Sequence, residues 1–181
     1  MGETIPMFDS PWHPSGPAMS SAKDDWLTPK WVVERVHRFG GIALDPCPAV
    51  GFNWVDSETC LGANNGLKES WETPGLVFVN PPYGRDIRKW TKRALAFRQL
   101  CGDIVLLVPA RTDTKWFQEL AAEAPAICFI KGRLKFIKPD TLEETDPAPF
   151  PSALVWFGTE GGFGDVFGDL GLVWERDEFR E

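Results

Sequence analysis

The sequence predicts an α/β fold, a mostly parallel sheet with helices on both faces. Apolar runs of strand length alternate along the chain with amphipathic helical segments. Ile104–Val108 is apolar throughout, as a strand covered on both sides must be. Two strand-like runs also end directly in polar, proline-bearing turns, Asp45-Pro46-Cys47 and Asn80-Pro81-Pro82-Tyr83. In open α/β sheets ligands bind at such strand ends.

Taken in order, residues 1–23 hold four prolines, two glycines and four serines without periodicity and read as a flexible arm. One domain is expected over 24–175, followed by an acidic tail at 176–181. Order is expected from Asp25-Trp26-Leu27. Thr28 then caps a helix with Pro29 at its first position, and Val32, Val33, Val36 and Phe39 follow at helical spacing up to Gly40-Gly41. Ile42–Asp45 is a short strand, 46–75 is irregular, and Leu76–Val79 is the next strand. A helix over 86–99 places Ile87, Trp90, Ala94 and Phe97 on one face. Strand 104–108, a helix over 113–122 capped by Thr112 or Asp113, and strand 126–130 follow. Leu134–Ile137 and Ala153–Phe157 read as two strands joined by a Pro- and acid-rich loop.

With 181 residues, 43% hydrophobic and 25% charged, the chain has the size and composition of one globular domain, which excludes wholesale disorder. It has no apolar run of about 18 residues and no basic start followed by an apolar stretch, so a soluble cytoplasmic protein is expected, with no membrane partner. The net charge of −7 hides a split: residues 1–139 carry +2 and residues 140–181 carry −9. A phosphate-bearing partner would meet the first part and avoid the second. Basic residues cluster at 85–98 (Arg85, Arg88, Lys89, Lys92, Arg93, Arg98) and at 131–138. The four cysteines form no Cys-x-x-Cys pair, and His13 and His37 stand at no ligand spacing from them, so no metal is expected. Cys128 reads as a small buried hydrophobe and His37 as a solvated helix residue.

Asn80-Pro81-Pro82-Tyr83 carries the chemistry. Two prolines remove two backbone donors and hold the chain extended, leaving their carbonyls without neighbouring N–H groups. The Asn80 side-chain oxygen and a proline carbonyl make two acceptors for one –NH2 group, and Tyr83 supplies a flat face for a planar ring. An exocyclic nucleobase amine fits that description. Its lone pair is delocalised into the ring, and accepting both hydrogens localises it on nitrogen as positive charge develops there. A base inside a duplex must be flipped out to reach such a site.

Over residues 24–157 the sequence resembles the small phage-type DNA N6-adenine methyltransferases (Dam-like). The resemblance is carried by Asp25–Pro29, Leu44–Cys47, Trp71, Asn80–Gly84, Pro109–Thr114, Lys131–Phe136 and Pro149–Leu154. It implies a Rossmann-like methyltransferase sheet, mostly parallel with an antiparallel edge hairpin, using S-adenosyl-L-methionine. It further implies that Asn80, Pro81, Pro82 and Tyr83 are catalytic, that Asp45, Pro46 and Cys47 border the cofactor, and that Thr28 and Pro29 enclose it. Trp26 is a candidate for the same border. The sequence departs from a Gly-rich turn after the first strand, where only Gly51 could serve. Asn65 either hydrogen-bonds adenine or makes an Asn-Gly turn.

Arg85 and Lys89, directly after the motif, are expected on phosphates flanking the flipped base. Arg111 is a candidate substrate contact, and Arg133 faces either DNA or a carboxylate of the fold. Site recognition would come from loops 52–73 and 138–152, and the state is expected to be a monomer or weak dimer. Two alternatives stay open: a non-catalytic nucleic-acid-binding module of the same fold, and a methyltransferase acting on cytosine N4, RNA or protein glutamine.

Overall fold

The computed structural model describes residues 26–49, 53–61, 65–159 and 161–177. The expected arm at 1–23, Asp25, Gly51 and residues 178–181 of the expected tail lie outside the described residues. In chain order the elements are α1 (Lys30–Phe39), β1 (Ile42–Asp45), β2 (Thr59–Cys60), β3 (Thr73–Val79), α2 (Ile87–Phe97), β4 (Cys101–Pro109), α3 (Lys115–Glu123), β5 (Ala126–Ile130), β6 (Ser152–Phe157), α4 (Phe163–Phe167) and β7 (Gly171–Glu175).

The seven strands form one mixed sheet in the order β2-β1-β3-β4-β6-β5-β7, consistent with a Rossmann-like fold. β2, β1, β3 and β4 pair in parallel. β6 runs antiparallel to both β4 and β5, and β7 antiparallel to β5. β1, β3, β4 and β5 therefore all point one way, and the segments that follow them leave from one edge of the sheet. That shared edge positions the site.

Strand residues of both parities are buried, which is why the strands read as continuous apolar runs. Leu76, Phe78, Val105 and Leu107 join one core cluster with Val32, Val33 and Val36 of α1 and Phe163 and Phe167 of α4. Val77, Val79, Ile104, Leu106 and Val108 join a second with Ile87, Trp90 and Ala94 of α2 and Phe117 and Leu120 of α3. Each large apolar side chain buried this way contributes about 1.5–3 kcal/mol.

Four expectations are corrected. Leu134–Ile137 is not a strand of the sheet, because both edges of β6 are taken by β4 and β5. Its backbone bonds run elsewhere: Ile137 exchanges bonds of 2.9 and 3.0 Å with Leu27, and the Leu134 and Phe136 carbonyls accept from Ala148 and Thr145. Thr28 does not cap α1; extended Pro29 is the cap, and its carbonyl accepts from Val32 and Val33. Neither Thr112 nor Asp113 caps α3, which starts after Thr114 with no side-chain cap. His37 is not merely solvated, since its Nε2 lies 2.8 Å from the Val55 carbonyl. Cys128, as expected, is fully buried.

Candidate active site

At the carboxyl edge of the parallel strands, β1 and β3 open onto a cavity of about 370 Å³. Its lining includes Thr28, Asp45, Cys47, Asn80 and Pro82 from the expected site, with Arg85 and Asp86 also on it. Trp26, Trp54, Trp90 and Phe78 give it aromatic walls.

Asn80 leaves β3 with both ends of its amide engaged. Nδ2 donates to Thr28 Oγ1 at 3.1 Å and to the Trp26 carbonyl at 3.4 Å. Oδ1 accepts from the Tyr83 hydroxyl at 2.8 Å. The same hydroxyl lies 3.3 Å from the Leu107 carbonyl, but its one proton is better directed to the nearer oxygen. The Tyr83 ring stands edge-on to Phe150 at 5.4 Å and to Phe136 at 5.8 Å. Burial holds the phenol well above its ordinary pKa, so it remains a donor.

Asp45 ends β1 at 4% exposure, and its Oδ1 accepts the Cys47 N–H at 3.0 Å. Burial pushes this carboxyl up to about 7, with the Cys47 N–H pulling the other way. Cys47 is raised well above an ordinary thiol by burial and then by the neighbouring Asp45, against the Asn80 backbone N–H. The lining thus brings the Asn80, Asp45 and Cys47 side chains together between aromatic walls. Trp54 is fixed there by its indole N–H, which donates to the Thr28 carbonyl at 2.6 Å, and Lys30 lies over its ring at 5.3 Å.

Other expected residues stand apart from the lining. Pro29, Pro46 and Pro81 are buried and not part of it, and neither is the half-buried Tyr83. Asn65 is exposed and opens a turn, its carbonyl accepting from Lys68 and Glu69. Arg111 and Arg133 are exposed on the segments leaving β4 and β5, at the same sheet edge as Asn80. The basic helix is largely engaged by its neighbours. Lys89 pairs with Asp86 at 2.8 Å, Arg88 reaches Glu119 at 4.0 Å, and Arg98 pairs with Glu123 at 3.2 Å. Arg93 donates to the Glu69 carbonyl and lies over Trp71 and Phe97.

Sequence reasoning missed Trp54, Trp90 and Leu67 as wall residues. Trp90 falls at the helical spacing of the α2 core face, where nothing in the pattern separates wall from core. Trp54 sits in a stretch with no periodicity at all.

Fold and site together define a class: an α/β protein, its mixed sheet consistent with a Rossmann-like fold, with a cavity at the carboxyl edge of its parallel strands. Residues 17–162 match the family model described as DNA N-6-adenine-methyltransferase (Dam). The chain is 31% identical over 150 residues to a DNA N-6-adenine-methyltransferase of Haemophilus phage HP1, covering 81% of this chain and 85% of that one. It is 31% identical over 143 residues to the protein of the same name from Escherichia phage T1, covering 70% and 59%. The chain belongs to the DNA N-6-adenine-methyltransferase (Dam) family.

Proposed function

We propose that this protein methylates N6 of adenine in DNA, with S-adenosyl-L-methionine as donor and the adenine flipped into the Asn80–Tyr83 pocket. One observation carries the reading: Asn80 has its amide nitrogen tied to Thr28 and Trp26, so the oxygen, held only by the Tyr83 hydroxyl, is the end that can accept from an amine.

The cavity residues suit the donor. A volume of about 370 Å³ lies within the range of small-molecule pockets, and its walls are aromatic. The buried Asp45 carboxyl would hold one of the ligand's cationic groups, and Trp54 or Trp26 would cover its purine. When bound, S-adenosyl-L-methionine supplies an electrophilic methyl group. Asn80 Oδ1 and the Pro81 carbonyl accept the two amine hydrogens, localising the lone pair as positive charge develops on nitrogen. For this the Tyr83 hydroxyl gives up Oδ1 to the amine, and its ring turns to lie along the base. No protein base is needed, because the methylated amine loses its proton to water.

The remaining features fit a duplex approaching that edge. Arg85 lines the cavity, and Arg111 and Arg133 follow the ends of β4 and β5 at the same sheet edge. No helix among the described residues is long and apolar enough to cross a membrane. The two core clusters support helices on both faces of the sheet, α1 and α4 against one and α2 and α3 against the other.

The test is nucleoside mass spectrometry of DNA co-expressed with the protein. N6-methyladenine is expected with the wild type and not with Asn80→Ala. N4-methylcytosine instead would reassign the substrate, and no methylated nucleoside would leave a binding module.

A further inference from the structure

We propose that Thr28 is a positioning residue for methyl transfer: together with the Trp26 carbonyl, which can only accept, its hydroxyl holds the nitrogen end of the Asn80 amide so that the oxygen faces the amine, and it acts through Asn80 rather than by enclosing the cofactor. The proposal rests on the reading of Asn80 as the amine's acceptor. An asparagine amide has nearly the same shape either way round but opposite hydrogen bonding at its two ends. Turned one way, Asn80 presents an acceptor to an –NH2 group. Turned the other, it presents donors to donors.

Two partners hold the nitrogen end: the Trp26 carbonyl at 3.4 Å, which can only accept and so sets the orientation, and the Thr28 hydroxyl, nearer at 3.1 Å. Thr28 is 2% exposed and packs at the cavity wall. Its own position is over-determined. Leu27 exchanges backbone bonds with Ile137, the Thr28 carbonyl takes the Trp54 indole N–H at 2.6 Å, and Pro29 begins the α1 ladder. Its hydroxyl makes no helix cap. A hydrogen bond from Nδ2 also polarises the amide and strengthens Oδ1 as an acceptor. That gain is largest when the amine nitrogen is most positive, so it acts on kcat more than on binding.

The experiment compares Thr28→Val, which keeps shape and removes the oxygen, with Thr28→Ser, which keeps the oxygen. Thr28→Ala replaces the valine variant if that one does not fold. In the full chain, Thr28→Val is expected to lower kcat by about tenfold, the scale of losing one neutral hydrogen bond. KM for DNA and the cofactor Kd by calorimetry stay within about twofold, and Thr28→Ser recovers most of kcat. The Asn80 side-chain NH2 resonances shift in Thr28→Val and not in Thr28→Ser. A wild-type kcat in Thr28→Val, a weakened cofactor Kd with kcat intact, or a Thr28→Ser as impaired as Thr28→Val would each overturn the proposal. If the wild type transfers no methyl group, the functional reading fails by itself. The Asn80 amide resonances then decide separately whether Thr28 holds that side chain.

Discussion

The hydroxyl of Tyr83 donates to Oδ1 of Asn80 across 2.8 Å, so the acceptor proposed for the amine is engaged by the ring proposed to cover its base. The two roles compete for one oxygen. Tyr83→Phe keeps a ring against Phe136 and Phe150 and frees Oδ1. A neutral hydrogen bond is worth about 0.5–1.5 kcal/mol net, so this variant is expected to bind DNA up to about tenfold more tightly with kcat preserved. Tyr83→Ala loses the stacking face, worth about 1–3 kcal/mol per base, and its kcat/KM falls accordingly. Steady-state methylation kinetics check both. A phenylalanine variant as poor as the alanine one means that the hydroxyl is required rather than displaced.

Asp45 gives the site a pH dependence whose sign is fixed by burial. Its carboxyl is pushed up to about 7, so the folded chain keeps a proton that the unfolded chain releases near pH 4. Stability is therefore lost as pH rises from about 4 to 7, on the order of 4 kcal/mol at most, and the loss stays constant above that. Cys47 and Cys60 beside it are raised too and stay neutral over this window. Asp45→Asn is expected to raise Tm at pH 8 and to leave it nearly unchanged at pH 4. A cationic ligand favours the carboxylate, so cofactor binding to the wild type tightens between pH 6 and 8. Calorimetry of Asp45→Asn should show that slope gone.

Much of this was legible because burial on both sides writes itself into composition. Ile104–Val108 and Ala126–Ile130 sit in the covered middle of the sheet and read as strands from apolarity alone. β7 did not, because only alternate residues of Gly171–Glu175 are sheltered and the strand lies in an acid-rich stretch. Leu134 and Phe136 alternate inward as a strand's residues would, yet pairing depends on a free edge, and β6 has none left. In the site, Asn80 and Asp45 could be found because they break apolar runs at strand ends. The tie between Thr28 and Asn80 spans 52 residues, and no local pattern encodes it.

Gly66 links the stability of the fold to the shape of the cavity. A Cβ there would sit 1.9 Å from the Pro46 carbonyl oxygen and 2.7 Å from the Trp90 ring, while the Gly66 carbonyl accepts the Trp71 indole N–H at 2.7 Å. Either the turn after Asp45 or the Trp90 wall must move to make room. Gly66→Ala is expected to cost about 1–3 kcal/mol and to weaken cofactor binding with it. Its neighbour Asn65 is exposed, so Asn65→Ala stays within about 0.5 kcal/mol in stability. Denaturation midpoints and calorimetry on both variants check this. A loss of activity in a stable Asn65→Ala would restore its side chain to the adenine site.

Arg85 and Lys89 were expected to serve phosphates alike, but their surroundings separate them. Lys89 holds Asp86 at 2.8 Å, and Asp86 lines the cavity with Arg85. Removing Lys89 leaves an unpaired carboxylate facing the incoming backbone, whereas removing Arg85 takes away a cation only. Arg85→Ala is expected to lower the slope of log K against log salt by about one. Lys89→Ala weakens binding with a smaller change in slope, and Asp86→Asn strengthens binding in the same assay. Fluorescence anisotropy over a salt series measures all three. Equal slope changes for Arg85→Ala and Lys89→Ala would mean that the exposed ion pair, worth about 0–1 kcal/mol, opens when DNA arrives.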